Sequence, residues 1–252
     1  MSLSTDQIEA YWKEGYVLVE GLIPQIDLER FSSRFEAIIE GRVELSPMMK
    51  IMKDVMVVKK AVERNNPIEE VNKLFSLEND PVFFEYISHS KLVSVLQSLL
   101  GETIYSLASN VFNKPPGIDG RHPMHQDLRY FKLRPADDIV GVWTSIGDCD
   151  RQSGCLSVLP ASHKLGVQEH TLPDWEYINH GFFGIQDFDR DHRRHLEMNP
   201  GDTLLFHPLL VHGSGTNRSD FCRRSISAHY ASDRCVSDRS SWRESGLTRK
   251  IG

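Results

Sequence analysis

His125-Gln-Asp127 places an imidazole and a carboxylate two residues apart. On an extended strand, residues i and i+2 face the same side, so the two side chains can converge on one ion. A third donor of the same type, His212, lies far downstream in Phe206-His-Pro-Leu-Leu-Val-His-Gly-Ser-Gly215. Two histidines and one carboxylate on one face of an octahedron leave the remaining positions open, as non-haem iron(II) oxygenases require. The same three donors also suit catalytic zinc. An isolated His-x-Asp is a weak signal, and the other histidines have plainer readings. His89, His163, His170, His180, His192 and His195 show no partner pattern and are expected at the solvent. His122 and His207 lie close to the ligands, as supports or as polar core residues; His229 either faces the interior or caps a strand end.

Arg223, eleven residues after His212, adds a second kind of chemistry. It opens Arg223-Arg-Ser-Ile-Ser-Ala-His-Tyr230, where alternation puts Arg223, Ser225, Ser227 and His229 on one face and Arg224, Ile226, Ala228 and Tyr230 on the other. A face bearing a guanidinium and two hydroxyls suits a barrel interior only if it holds an anion, and arginine pairs with a carboxylate in a bidentate fork that lysine cannot copy. The competing reading is a solvated basic edge strand. Together with the three donors, the anion-binding reading prevails.

The elements that must position these groups change in texture along the chain. Up to about residue 101 the sequence reads as helical packing with a short strand at Tyr16–Glu20. Ser4 or Thr5 caps a first helix and Gly15 stops it; Leu28 to Ile39 has helical spacing. Asp80-Pro81 opens a helix that buries Phe84, Ile87, Leu92, Val95 and Leu99 and ends at Gly101. From Thr103 short strands follow: 103–112, 127–133, 139–146, 155–159, 202–206 and 223–230. They predict a mainly β protein with flanking helices, an antiparallel jelly roll or barrel, with 102–232 as its core and 233–252 as a short tail. Residues 170–194 have no clean period and read as a long loop, and loops of that length are often functional.

The 252 residues, 40% of them hydrophobic, suffice for one sizeable core, and a single domain over 1–252 is expected. A net charge of −6 argues against a general nucleic-acid binder. Cys149, Cys155, Cys222 and Cys235 form no C-x-x-C pair and are expected to be reduced and structural. The N-terminus shows no secretory signal, no apolar run is long enough to span a membrane, and the final Arg-Lys-Ile-Gly is not a Ser-Lys-Leu address. A cytoplasmic protein is therefore expected, with the peroxisome left open.

Three ordered motifs, His122-Pro-Met-His-Gln-Asp-Leu-Arg-Tyr-Phe131, Gly154-Cys-Leu-Ser-Val-Leu-Pro-Ala-Ser-His163 and the run Gly201–Gly215 around His212, resemble the phytanoyl-CoA dioxygenase family. The resemblance spans about Lys73 to Ser232 and is nearest to the 2-hydroxylases of that family. It implies a double-stranded β-helix, cupin-like, with iron(II) held by His125, Asp127 and His212. It also implies 2-oxoglutarate as cosubstrate, contacted by Lys73, Trp143, Ser214 and Arg223, with O2 consumed, succinate and CO2 released, and ascorbate supportive. Halogenases similar to this family lack the carboxylate, so Asp127 implies hydroxylation. Two departures stand out: Asn110 occupies a position aligned with methionine, and the chain stops soon after the last expected strand. The implied substrate is a fatty acyl-CoA attacked at carbon 2. Arg121, Arg129, Lys132 and Arg134 are either its phosphate contacts or solvated charges. Trp175, Tyr177, Phe182 and Phe183 in the long loop either cover an acyl tail or form a satellite core. A catalytically silent 2-oxoglutarate- or acyl-binding protein and a zinc metallohydrolase remain as alternatives.

Overall fold

In the computed structural model, which describes residues 2–179, 181–237 and 242–252, Ser4 starts the first helix. Its hydroxyl accepts from the Gln7 N–H at 3.2 Å, and the Gln7 side chain accepts from the Ser4 N–H at 2.9 Å. Helix α1 (Thr5–Glu14) ends at Gly15, whose φ of 85° suits a residue without a Cβ. Strand β1 (Tyr16–Val19) and helix α2 (Gln25–Ile39) follow near their expected positions. The next stretch departs from the helical expectation. Strands β2 (Lys50–Lys53) and β3 (Val71–Phe75) flank the one-turn helix α3 (Val55–Val58) and join the large sheet.

Asp80 caps the next helix, its carboxylate accepting from the Val82 and Phe83 N–H groups at 3.1 and 3.2 Å. That helix does not continue to Gly101. It divides into α4 (Pro81–Ile87) and α5 (Ser90–Leu100), where the Ser88 hydroxyl bonds back to the Phe84 carbonyl and His89 turns extended. The division turns Phe83, Tyr86 and Leu96 fully into the core, while Phe84 and Leu99, expected there, are only partly covered.

The remaining strands are β4 (Ile104–Lys114), β5 (His122–His125), β6 (Leu133–Arg134), β7 (Ile139–Ser145), β8 (Leu156–Val158) and β9 (Arg194–Leu196). They continue with β10 (Thr203–Phe206), β11 (His212–Ser214), β12 (Arg223–Ser232), β13 (Val236–Ser237) and β14 (Arg249–Lys250). The strand expected over 127–133 is corrected: Asp127–Tyr130 is a 3-10 turn, and the strand lies just before it. Leu128 is pulled inward there, with its N–H donated to the Pro208 carbonyl at 2.9 Å rather than to a neighbouring strand. The tail expected after residue 232 also carries structure, since β13 pairs with β6 and β14 with β4.

The large sheet runs β1-β10-β7-β12-β4-β3-β2, and a smaller one runs β5-β11-β8-β9, all pairs antiparallel. This is the jelly roll the sequence predicts. One face of the large sheet packs on the helices: Val111, Val140, Val142, Leu205, Ile226, Ala228 and Tyr230 share a core with Phe31, Phe35, Phe83 and Leu96. The other face, with the small sheet, encloses a cavity of about 420 Å³.

Candidate metal centre

His125 closes β5 and His212 opens β11, and the two are direct cross-strand partners. Gln126 keeps an extended backbone, so Asp127 emerges on the side of His125 before the 3-10 turn begins. One donor atom from each of His125, Asp127 and His212 lies within 4.8 Å of the others. His125 Nε2 is 3.0 Å from Asp127 Oδ1, and His212 Nε2 is 3.7 Å from Oδ2. Each imidazole donates from Nδ1 to a backbone carbonyl, His125 to Pro123 at 2.8 Å and His212 to Leu210 at 3.0 Å. That fixes the tautomer and leaves both Nε2 lone pairs facing Asp127. All three residues are buried. Burial lowers the His212 imidazole to about 4 despite Asp127 beside it, so it is neutral and free to ligate. Burial alone would raise the Asp127 carboxyl, but His212 and His229 hold it well below the ordinary carboxylate range.

His229 is one of the residues the sequence left undecided. It faces inward from β12 and donates from Nε2 to Asp127 Oδ2 at 2.6 Å. His122 stacks on His125, ring centroids 4.3 Å apart, and Phe182 stacks on the far side of His122 at 4.0 Å. His207 is a polar core residue: it is buried and donates to Asp137 at 3.0 Å. His192 is exposed as expected, but four histidines expected at the solvent are partly covered, His195 with its Nδ1 4.0 Å from Cys155 Sγ. His170 accepts from the Gln126 N–H at 2.9 Å, His163 donates to the Trp12 carbonyl at 3.1 Å, and His89 approaches Asp27 at 3.5 Å. Each meets a residue far away in the sequence, a contact that no local pattern encodes. His180 lies outside the described residues.

At the other end of the cavity the solvated-edge reading of Arg223 fails, because β12 is paired on both sides and buried throughout. Arg223 donates to Ser225 Oγ at 3.1 Å and to the Gly154 carbonyl at 3.3 Å, and its guanidinium sits 5.4 Å from the Trp143 ring centroid. No carboxylate within ion-pair distance meets it among the described residues; its Nε and the Ser227 hydroxyl are buried without any partner. A buried cation and orphaned donors are stable only if an anion satisfies them. Ser214 lines the same cavity, as do Asn110 and Lys73. The Lys73 ammonium lies over the Phe75 and Phe112 rings, 4.6 and 4.4 Å from their centroids, and burial pushes it down to about 8. All seven residues expected to hold metal or cosubstrate thus border one space, and that donor set fits a metal ion beside a carboxylate-bearing ligand.

The long loop closes on itself where Thr171 and Gly184 exchange two backbone hydrogen bonds. Of Trp175, Tyr177, Phe182 and Phe183, Phe182 is the one that lines the cavity. Trp175 stacks on Arg121, Tyr177 lies by Lys59 and Phe183 faces Arg129. Arg129, Lys132 and Arg134 line a second, shallower groove that shares Phe131 with the main cavity. All four cysteines are free.

The sequence model of the family described as Phytanoyl-CoA dioxygenase (PhyH) matches residues 11–225. A probable phytanoyl-CoA dioxygenase of Caenorhabditis elegans is 41% identical over 239 residues, 92% of this chain and 76% of its own length. A peroxisomal phytanoyl-CoA dioxygenase of Bos taurus is 38% identical over 239 residues, 92% of this chain and 70% of its own. Among solved structures, the non-heme alpha-ketoglutarate-dependent carbocyclase SnoK from nogalamycin biosynthesis superposes with a TM-score of 0.69 at 18% identity, covering 93% of this chain and 86% of its own. That likeness is one of fold.

Proposed function

The chain belongs to the phytanoyl-CoA dioxygenase family, and on that premise we propose that it is an iron(II)- and 2-oxoglutarate-dependent dioxygenase that hydroxylates a fatty acyl-CoA at carbon 2. One observation carries the reading: a buried Arg223 without an acid partner among the described residues shares a cavity with two histidines and a carboxylate. His125, Asp127 and His212 would hold the iron, and the whole of 1–252 would act as one dioxygenase domain. When bound, iron(II) and 2-oxoglutarate supply the oxidising chemistry: one atom of O2 enters the substrate, the other enters succinate, and CO2 leaves.

The protein's own part is placement. Nδ1–H donation to Pro123 and Leu210 keeps the two ligand imidazoles in the binding tautomer, and the His229 N–H holds Asp127 Oδ2. Arg223 would pair with the distal carboxylate of 2-oxoglutarate, with Ser214 and Ser227 offering hydroxyls beside it and Lys73 and Trp143 closing the walls. Apolar lining from Phe75, Phe112, Phe131, Leu156 and Phe206 keeps bulk water from the reacting carbon. A zinc hydrolase gives Arg223 no task, whereas a silent binder keeps the site without turnover. Succinate release with iron(II), 2-oxoglutarate and ascorbate separates all three.

For the substrate, the support is the relatives' names and the basic groove of Arg129, Lys132 and Arg134 adjoining the cavity at Phe131. Phosphates anchored there would position a thioester near the metal through remote binding energy. The test compares an acyl-CoA with its free acid. We expect one oxygen gained at carbon 2 of the acyl-CoA, dependent on 2-oxoglutarate; equal rates on the free acid would remove CoA from the reading. Cytoplasm, expected from the sequence, and peroxisome, named for the bovine relative, are to be separated by fractionation.

A further inference from the structure

Lys114 and Arg223 are direct cross-strand partners in β4 and β12, so two cationic side chains face each other in the interior. Like charges directly opposite across a sheet repel and destabilise it. Among the described residues neither meets a carboxylate. Lys114 donates to Ser214 Oγ at 2.8 Å and to the Gly215 carbonyl, and Arg223 donates to Ser225 and Gly154. Asp119, an acid whose field reaches Lys114, is itself engaged by Arg121 and Thr216. The lysine stem runs through a slot shaped by absent side chains. A Cβ at Gly154 would come within 3.2 Å of Lys114 Cδ, and one at Gly120 within 3.3 Å of Cγ.

The slot leads Lys114 to Ser214 from behind: Ser214 lines the cavity and Lys114 does not. A hydroxyl that accepts from an ammonium keeps its own proton for another acceptor. That proton is therefore available to the space where Arg223 Nε and Ser227 Oγ lack partners. We infer, resting on the 2-oxoglutarate reading above, that Lys114 is a positioning residue for the cosubstrate: it orients Ser214 to donate to the distal carboxylate. Burial and the facing guanidinium both disfavour the ammonium, and a carboxylate bound in front of them offsets that penalty.

The test uses the full chain loaded with Mn(II) or iron(II), and variants K114M, S214A and K114M/S214A. Methionine fills the slot without charge or donor. We expect K114M to raise the 2-oxoglutarate Kd and KM roughly tenfold, the scale of one hydrogen bond to a charged group, with kcat and metal affinity little changed. Its unliganded Tm should match or exceed that of the wild type, because a buried repulsion is removed. In S214A, adding K114M should raise Kd by less than about threefold, since a residue acting through Ser214 loses its lever there. Full additivity, an unchanged Kd in K114M, or an unliganded Tm lowered by several degrees each overturns the inference. If wild type loaded with metal fails to bind 2-oxoglutarate, the functional reading itself falls, and the inference with it.

Discussion

Asp127 meets three imidazoles at once: the Nε2 atoms of His125 and His212 lie 3.0 and 3.7 Å from its oxygens, and His229 donates to it at 2.6 Å. Among the three grouped donors it is the carboxylate, so Asp127→Ala leaves two neutral imidazoles for a hard ion and orphans the His229 N–H. Removing an outer partner of a ligand already costs about 10–100-fold in metal affinity, so loss of the ligand itself should exceed about a hundredfold. Anaerobic titration calorimetry with iron(II) reads this directly, and an unchanged affinity would sink the assignment. Arg223→Ala touches the other end of the cavity. Losing the charged partner of a buried carboxylate costs about 2–5 kcal/mol, at least about a tenfold rise in 2-oxoglutarate KM, while iron affinity stays level. A fall in kcat alone would assign Arg223 another task.

At the scale of elements, the junction of the two sheets depends on a close approach at Gly154. Its φ is +79°, and an added Cβ would lie 2.6 Å from the Gly215 carbonyl oxygen and 3.0 Å from that of Thr216. Its own carbonyl accepts from Arg223. Gly154→Ala is therefore expected to lower Tm, by an amount equivalent to about 1–3 kcal/mol, and to raise the 2-oxoglutarate KM as Arg223 shifts. An alanine variant with both quantities unchanged would mean the turn relaxes freely. The two faces of β12 divide the work of the strand. Arg224, one residue from Arg223, points to the helices and donates to Glu36 at 2.8 Å and to Asn113 at 3.4 Å, with its guanidinium 4.5 Å from the Phe35 ring centroid.

At the scale of the molecule, that alternation separates stability from binding. Arg224→Ala removes a tie between α2 and the large sheet, so a stability loss of about 1–3 kcal/mol is expected, read as a lower midpoint in urea. Metal and 2-oxoglutarate affinities should stay near wild type, because those ligand groups lie across the sheet. An affinity loss matching that of Arg223→Ala would show that the two faces are coupled. Local chemistry by itself determined much of this protein: Ser4 and Asp80 as caps, Gly15 as a stop, the alternation of β12, and the His-x-Asp spacing, each set by neighbours within a few residues. The family resemblance also implied Lys73, Trp143, Ser214 and Arg223, and all four line one cavity. Only the tertiary structure decided the rest. The break at Ser88–His89 accompanies Tyr86 reaching Thr144 and the Ile226 carbonyl in the sheet, and the turn at Asp127 accompanies the Leu128 N–H bonding to the Pro208 carbonyl. His229 meets Asp127 across 102 residues, and Lys114 meets Ser214 across 100. Contacts at that separation are set by strand order and register, which a pattern with a period of two or 3.6 residues cannot specify.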